Sequence, residues 1–258
     1  MSAPVQGDLV EIPVPGGTAE AWVSRPTDGG PYPGVLLFMD AFGIRPQIER
    51  MAERIAGWGY VVMAPNVFHR FGTVAELAPT TDLRLPGARE EAFAQVMPRV
   101  GSLTGKVAGP DVEAYVDALQ ALPDVTDGPI GVTGYCMGSR LAVRAASLRP
   151  DAVAACAGFH GGGLANQDPD SPHHGVPQAR AEFYFAHADG DRSMTPEAIA
   201  RLDAALDEAG LTRTTEVYPD APHGYTMADT SSYQEEAAER HYVALRELLG
   251  RTLLPAGQ

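Results

Sequence analysis

Cysteine is nearly absent from these 258 residues: only Cys136 and Cys156 occur. Two thiols cannot build a disulfide framework for a chain of this size, and their contexts differ. Cys156 sits in the apolar run Ala-Val-Ala-Ala-Cys-Ala-Gly-Phe, where a buried structural thiol is expected. Cys136 lies between glycines. Positive charge is also scarce, with 19 Lys and Arg against 33 Asp and Glu, a formal net charge of −14. That balance excludes the basic footprint of a nucleic-acid surface and disfavours docking on anionic lipid. No apolar stretch approaches the roughly 20 residues of a membrane span, and the opening Met-Ser-Ala-Pro-Val-Gln-Gly carries no basic region followed by an apolar run. The expectation is a cytoplasmic protein with no nucleic-acid or membrane partner.

What the chain does have is alternation. Apolar runs at 20–23, 35–38, 61–64, 130–133, 152–157, 182–186 and 214–218 read as strands. Several are continuous rather than alternating, as in parallel strands covered on both faces. Helical patterns fall between them at 44–57, 109–121, 137–148, 196–209 and 232–250. The fourth opens on Thr195-Pro196-Glu197, a cap with proline at the first helical position, and closes at Gly210. This order implies one α/β domain over 1–258, a mostly parallel central sheet with helices on both faces. An irregular excursion at 68–110, holding a helix at 88–96, either shapes a pocket or is a surface insertion. A second long loop covers 161–178, and fraying is expected at 254–258.

The strongest local signal is Pro129-Ile130-Gly131-Val132-Thr133-Gly134-Tyr135-Cys136-Met137-Gly138-Ser139. A short strand ends in Gly-x-Cys-x-Gly and passes directly into a helix, the context of a nucleophile elbow with cysteine in place of serine. The turn is too sharp for bulk two residues on either side of the nucleophile, and it lifts the sulfur clear at a helix N-terminus, where free N–H groups favour an anion. The alternative is a tight packing turn around a buried thiol. A free thiol is only a few per cent ionised at neutral pH and needs a base. In a fold of this kind the order is nucleophile, acid, histidine, each on a loop after a strand. His223 follows the strand 214–218, and both Asp189 and Asp191 follow the strand 182–186. Of the other histidines, His241 falls inside the last helix, and His69, His173 and His174 sit in loops with no preceding strand. His160, His173, His174 and His187 show no recurrent ligand spacing, so no metal is expected. An oxyanion hole needs two backbone N–H groups: that of Met137, and one from Asp40-Ala41-Phe42-Gly43 after the strand 35–38. His160 follows a strand at the same sheet edge and either lines the pocket or caps a turn.

Gly134-Tyr135-Cys136-Met137-Gly138, Asp40-Ala41-Phe42-Gly43, Gly190-Asp191 before a Thr-Pro helix start, and Pro222-His223-Gly224-Tyr225 together resemble the dienelactone hydrolase family over about 35–249. The resemblance implies an α/β-hydrolase fold, a monomer or homodimer, and no cofactor. It implies Asp191 as the acid beside Cys136 and His223, and Ala41 as the second oxyanion donor. The implied activity is hydrolysis of a small lactone or ester, the family's reference reaction opening an enol-lactone to an oxo acid during chlorocatechol degradation. The chain departs from the family at two places: Asp40 stands where the family has a thiol-activating glutamate, and Met227 where it has one of two substrate-binding arginines. Arg89 matches the other arginine; its alternative is a solvated helix-face residue. Phe42, Tyr135 and His160 complete the expected substrate-binding set. Rival readings on the same machinery are a general carboxylesterase or thioesterase. A rival of another class is a ligand-binding or thiol redox-sensing protein, which has no need of a base on a separate strand.

Overall fold

The continuous apolar runs become the central strands of an eight-stranded sheet in the computed structural model of the protein, which describes residues 3–254. The strands are β1 (Val5–Val14), β2 (Gly17–Pro26), β3 (Gly34–Phe38), β4 (Val61–Pro65), β5 (Ile130–Tyr135), β6 (Val153–Phe159), β7 (Glu182–Ala188) and β8 (Arg213–Tyr218). Their order is β1-β2-β4-β3-β5-β6-β7-β8; β2 is antiparallel to β1 and β4, and the rest pair in parallel. Every residue of β3, β4 and β5 is buried, which requires cover on both faces. The helices are α1 (Pro46–Ala56), α2 (Val74–Leu77), α3 (Ala88–Ser102), α4 (Gly105–Gln120), α5 (Gly138–Leu148), α6 (Pro196–Glu208) and α7 (Glu235–Leu253), and the cover over these strands comes from α1, α4, α5 and α7. Helices α4 and α5 pack on each other and on β3, while α7 lies against β5, β6 and β7.

The chain leaves β3 towards β4 and then returns to β5 on the other side of β3. Strand order therefore reverses between β3 and β5, and in open parallel sheets the carboxyl end of such a point is where ligands bind.

Three features differ from the sequence reading. Strand β1 was not anticipated. Val10, Ile12 and Val14 alternate inward, but Gly7, Asp8, Glu11 and Pro13 weaken the pattern. The strand pairs on one side only, so a proline lacking an N–H is tolerated there. It joins β2 through the two-residue turn Pro15-Gly16. The excursion at 68–110 is more ordered than expected: α3 runs on through Pro98, and α2 is opened by a Thr73/Glu76 capping box at its N-terminus. Helix α4 begins four residues before the expected Gly109, with Pro110 inside it. In the loop at 161–178, a 3₁₀ turn forms over Pro172–Gln178. Of the fraying expected at 254–258, residues 255–258 lie outside the described residues.

Candidate active site

Cys136 occupies the turn between β5 and α5 with φ of +54°, a conformation a side chain adopts only under constraint. The two glycines explain why the turn closes. A Cβ on Gly134 would stand 2.2 Å from the Gly138 carbonyl oxygen, and one on Gly138 would stand 2.3 Å from that of Phe38. Neither obstacle is a side chain that can turn aside. The Cys136 N–H donates to the Phe159 carbonyl at 3.1 Å, fastening the turn to β6, and the Ser139 hydroxyl donates to the Gly134 carbonyl at 2.8 Å.

Two loops from neighbouring strands meet the sulfur. His223, after β8, places Nε2 3.0 Å from Cys136 Sγ and Nδ1 2.6 Å from Asp191 Oδ2. Asp191, after β7, accepts through Oδ1 from the Ser193 N–H at 2.8 Å and the Ser193 hydroxyl at 2.7 Å. Its neighbour Asp189 turns elsewhere and accepts the Asp220 N–H at 3.1 Å, so only Asp191 reaches the histidine. Burial works against charge on both partners. On Asp191 it is outweighed by hydrogen bonds from His223 and Ser193, which leave the carboxyl below its ordinary range. On His223 it is outweighed by the contacts with Cys136 and then with Asp191, which raise the imidazole to about 10. A protonated ring donates Nδ1–H to Asp191 and Nε2–H to sulfur.

After β3, the Asp40 side chain accepts the Phe42 N–H at 3.1 Å and its carbonyl accepts the Gly43 N–H at 3.3 Å. The Ala41 and Met137 N–H groups have no hydrogen-bond partner among the described residues, and both residues line a cleft of about 630 Å³ that opens on Cys136 and His223.

The remaining expected residues are distributed unevenly. Asp40 is buried, but both its oxygens face Arg45, at 2.7 and 3.0 Å, and it makes no hydrogen bond to Cys136. Arg45 continues to Asp229 at 2.6 and 3.1 Å, and also touches Met227 Sδ at 3.6 Å. Asp40, Phe42, Arg89, His160 and Met227 all border a small recess beside the sulfur. Arg89 reaches it from α3 and donates to the His223 carbonyl at 3.0 Å; Phe93 of the same helix meets the Phe42 ring edge-on. The excursion thus forms one wall of the site. His160 is fully buried, shares a hydrogen bond with the Thr226 hydroxyl at 2.7 Å, and lies edge-on to His223 with ring centroids 5.4 Å apart. Burial, and then the charge on His223, push its pKa well below the ordinary value, so it stays neutral. Tyr135 requires a correction. Alternation along β5 carries its ring away from the sulfur and into the core, stacked on Phe159 and near His241, and it borders neither cavity at the sulfur. Cys156, in β6, is fully buried and its thiol is raised by that burial.

Residues 19–253 match the model of the dienelactone hydrolase family. A protein of Synechocystis provisionally named carboxymethylenebutenolidase is 25% identical over 96% of this chain and 98% of its own length. Carboxymethylenebutenolidase 1 of Cupriavidus pinatubonensis is 30% identical over 58% of each chain. Among solved structures, a dienelactone hydrolase-like promiscuous phosphotriesterase from metagenomic libraries superposes with a TM-score of 0.79 at 18% identity, covering 96% of this chain and 98% of that one. A dienelactone hydrolase of Anabaena variabilis gives a TM-score of 0.69 at 18% identity, covering 97% and 99%. These likenesses establish the α/β-hydrolase fold.

Proposed function

The chain belongs to the dienelactone hydrolase family, and we propose that it hydrolyses a lactone or ester with Cys136 as nucleophile, His223 as acid and base, and Asp191 as the group that orients and charges the histidine. The observation that carries this reading is the continuous chain from Sγ through both imidazole nitrogens to a carboxylate itself held by Ser193. A sensor thiol has no use for that last link.

The reaction begins from the thiolate–imidazolium pair. The thiolate attacks the carbonyl carbon, and the negative oxygen that forms is received by the N–H groups of Ala41 and Met137, unspent in the resting protein. As the tetrahedral species collapses, Nε2–H of His223 passes its proton to the departing alkoxide or enolate, leaving a thioester and a neutral imidazole. That imidazole takes a proton from water as the water attacks the thioester. The second collapse releases the acid and restores the ion pair. An enolate or aryl oxide leaves readily, so such esters should turn over faster than alkyl esters.

The direct test is to mix the enzyme with an aryl ester, quench within one turnover and map the acyl group by mass spectrometry. The acyl increment is expected on the peptide holding Cys136; turnover with acyl on another residue would overturn the assignment. A second expectation concerns pH. His223, raised to about 10, keeps its proton through neutrality and loses it as pH climbs through that value. The alkaline limb of kcat/KM should therefore lie near pH 10 rather than near the 6.5 or so of a free imidazole. Replacing Cys136 by alanine removes the largest influence holding the proton on, so the His223 ring resonances should titrate at lower pH in that variant. An unchanged midpoint would mean that no thiolate faces the ring.

A further inference from the structure

His223 is gripped unevenly. Its ring stands between Cys136 Sγ at 3.0 Å and Asp191 Oδ2 at 2.6 Å, while Arg89 holds only its backbone carbonyl. Both ring contacts are made through nitrogens and so lie close to the ring plane, where they do little against a tilt of that plane. On one side the ring borders the open cleft, and 23% of the side chain is exposed. On the inner side stands His160, which borders the recess but not the cleft. The two rings are inclined at 65° with centroids 5.4 Å apart.

His160 is itself immobilised. Its N–H donates to the Ala186 carbonyl at 2.8 Å, and the same carbonyl accepts the Tyr225 hydroxyl at 3.2 Å. Its Nε2 shares the hydrogen bond with the Thr226 hydroxyl at 2.7 Å, and the Tyr225 ring meets it edge-on at 4.9 Å. One residue thus joins the ends of β6 and β7 to the loop that carries His223. The arrangement is unfavourable on its own terms. The backbone is held at φ of +38°, and the ring is fully buried with Nδ1 lacking a partner among the described residues. A phenyl ring would fill this space without stranding a nitrogen. What the imidazole adds is a flat wall whose angle is fixed by Thr226.

In the proposed cycle the need for that wall is greatest after acylation. Before it, attraction between thiolate and imidazolium helps keep the ring in line. In the thioester the sulfur is neutral, and His223 has given its proton to the leaving group. Nε2 must then take a proton from water as the water oxygen bonds to the acyl carbon. The C–S bond breaks next, and the proton stays on His223, facing the restored thiolate. What aligns Nε2 for this step is the Asp191 hydrogen bond and the His160 ring.

We propose that His160 is a positioning residue for deacylation: anchored by Thr226, its ring keeps neutral His223 aimed at the water that attacks the thioester. The inference rests on the Cys136 reading above.

The test uses para-nitrophenyl acetate, whose leaving group makes acylation fast and leaves deacylation to limit kcat. Only the steps through loss of the aryl oxide enter kcat/KM, so the two constants report the two halves of the cycle. His160→Ala should lower kcat by about tenfold or more, the scale of a misaligned base, while kcat/KM stays within about threefold and KM falls with kcat. Peptide mass mapping of samples quenched in the steady state should show a larger acylated fraction of Cys136 than in wild type. His160→Phe restores the wall without its anchor, and Thr226→Val removes the anchor alone. Each should lose less than the alanine variant, again in kcat rather than kcat/KM. Equal falls in both constants would show general support of the site and overturn the proposal, as would an unchanged kcat in the alanine variant. Should that variant fail to fold, the other two decide by the same split. Failure of the underlying catalytic reading has its own signature, no acyl group on Cys136 in wild type or any variant.

Discussion

Replacing Cys136 with alanine is expected to lower kcat/KM for aryl esters and enol-lactones by roughly 10⁴-fold or more. The size of the effect follows from what the proposed mechanism asks of the sulfur in two places: there it forms the bond to carbon, and its contact with His223 helps hold the proton that the leaving group needs. Without it, the oxyanion donors and the cleft can still bind an ester, but only water is left to attack, and neutral His223 must first take a proton from that water. Serine at the same position should fall between the two, since the elbow accommodates the smaller oxygen but a hydroxyl has to be deprotonated during attack. Cys156→Ala serves as the control. That thiol is sealed within β6, so its loss should leave turnover by folded enzyme unchanged. An alanine variant at 136 as active as wild type on esters, lactones and thioesters alike would end the nucleophile assignment.

The parts of this site that the sequence reveals are those whose geometry is local. Gly134 and Gly138 announce the elbow because the obstacles to a Cβ there are created by the strand, the turn and the start of the helix, with Phe38 of the adjacent strand closing the space. His223 and Asp191 announce themselves because each follows a strand, and the C-terminal ends of parallel strands share one edge. What is hidden is set by contacts between distant segments. Arg45 and Asp229 are 184 positions apart, and nothing in either neighbourhood marks them as partners. Thr226 is likewise joined to His160 across 66 positions. Ser193 had a local signal, the Asp-x-Ser spacing in which a carboxylate caps its own turn, although the spacing is too common to single out. Tyr135 fails for the opposite reason. Adjacency in sequence suggests the cleft, while strand periodicity sends alternate side chains to opposite faces.

The hidden Arg45 carries the largest expected effect on stability. Its guanidinium binds both oxygens of Asp40 and both of Asp229, and it is almost completely excluded from solvent together with Asp40. Arg45→Met removes the cation and strands a buried carboxylate, a situation that costs about 3–5 kcal/mol. For a chain of this length each kcal/mol moves the melting temperature by roughly 2–4 °C, so a fall of about 10 °C is expected in a calorimetric or fluorescence melt. Activity should fall as well, through kcat more than KM. Asp40 also ties down the Phe42 N–H, and in the proposed mechanism that tie fixes the turn presenting the Ala41 N–H to the oxyanion. The double variant Arg45→Met/Asp40→Asn separates the causes. Asparagine keeps an oxygen for Phe42 but brings no charge, and Asp229 is exposed enough to be hydrated on its own. If stranded charge is the main cost, the double variant should regain most of the lost melting temperature and part of kcat. If it melts as low as Arg45→Met, the loss came from the packing of the arginine stem against Met227 and the loop, and the ion network is dispensable.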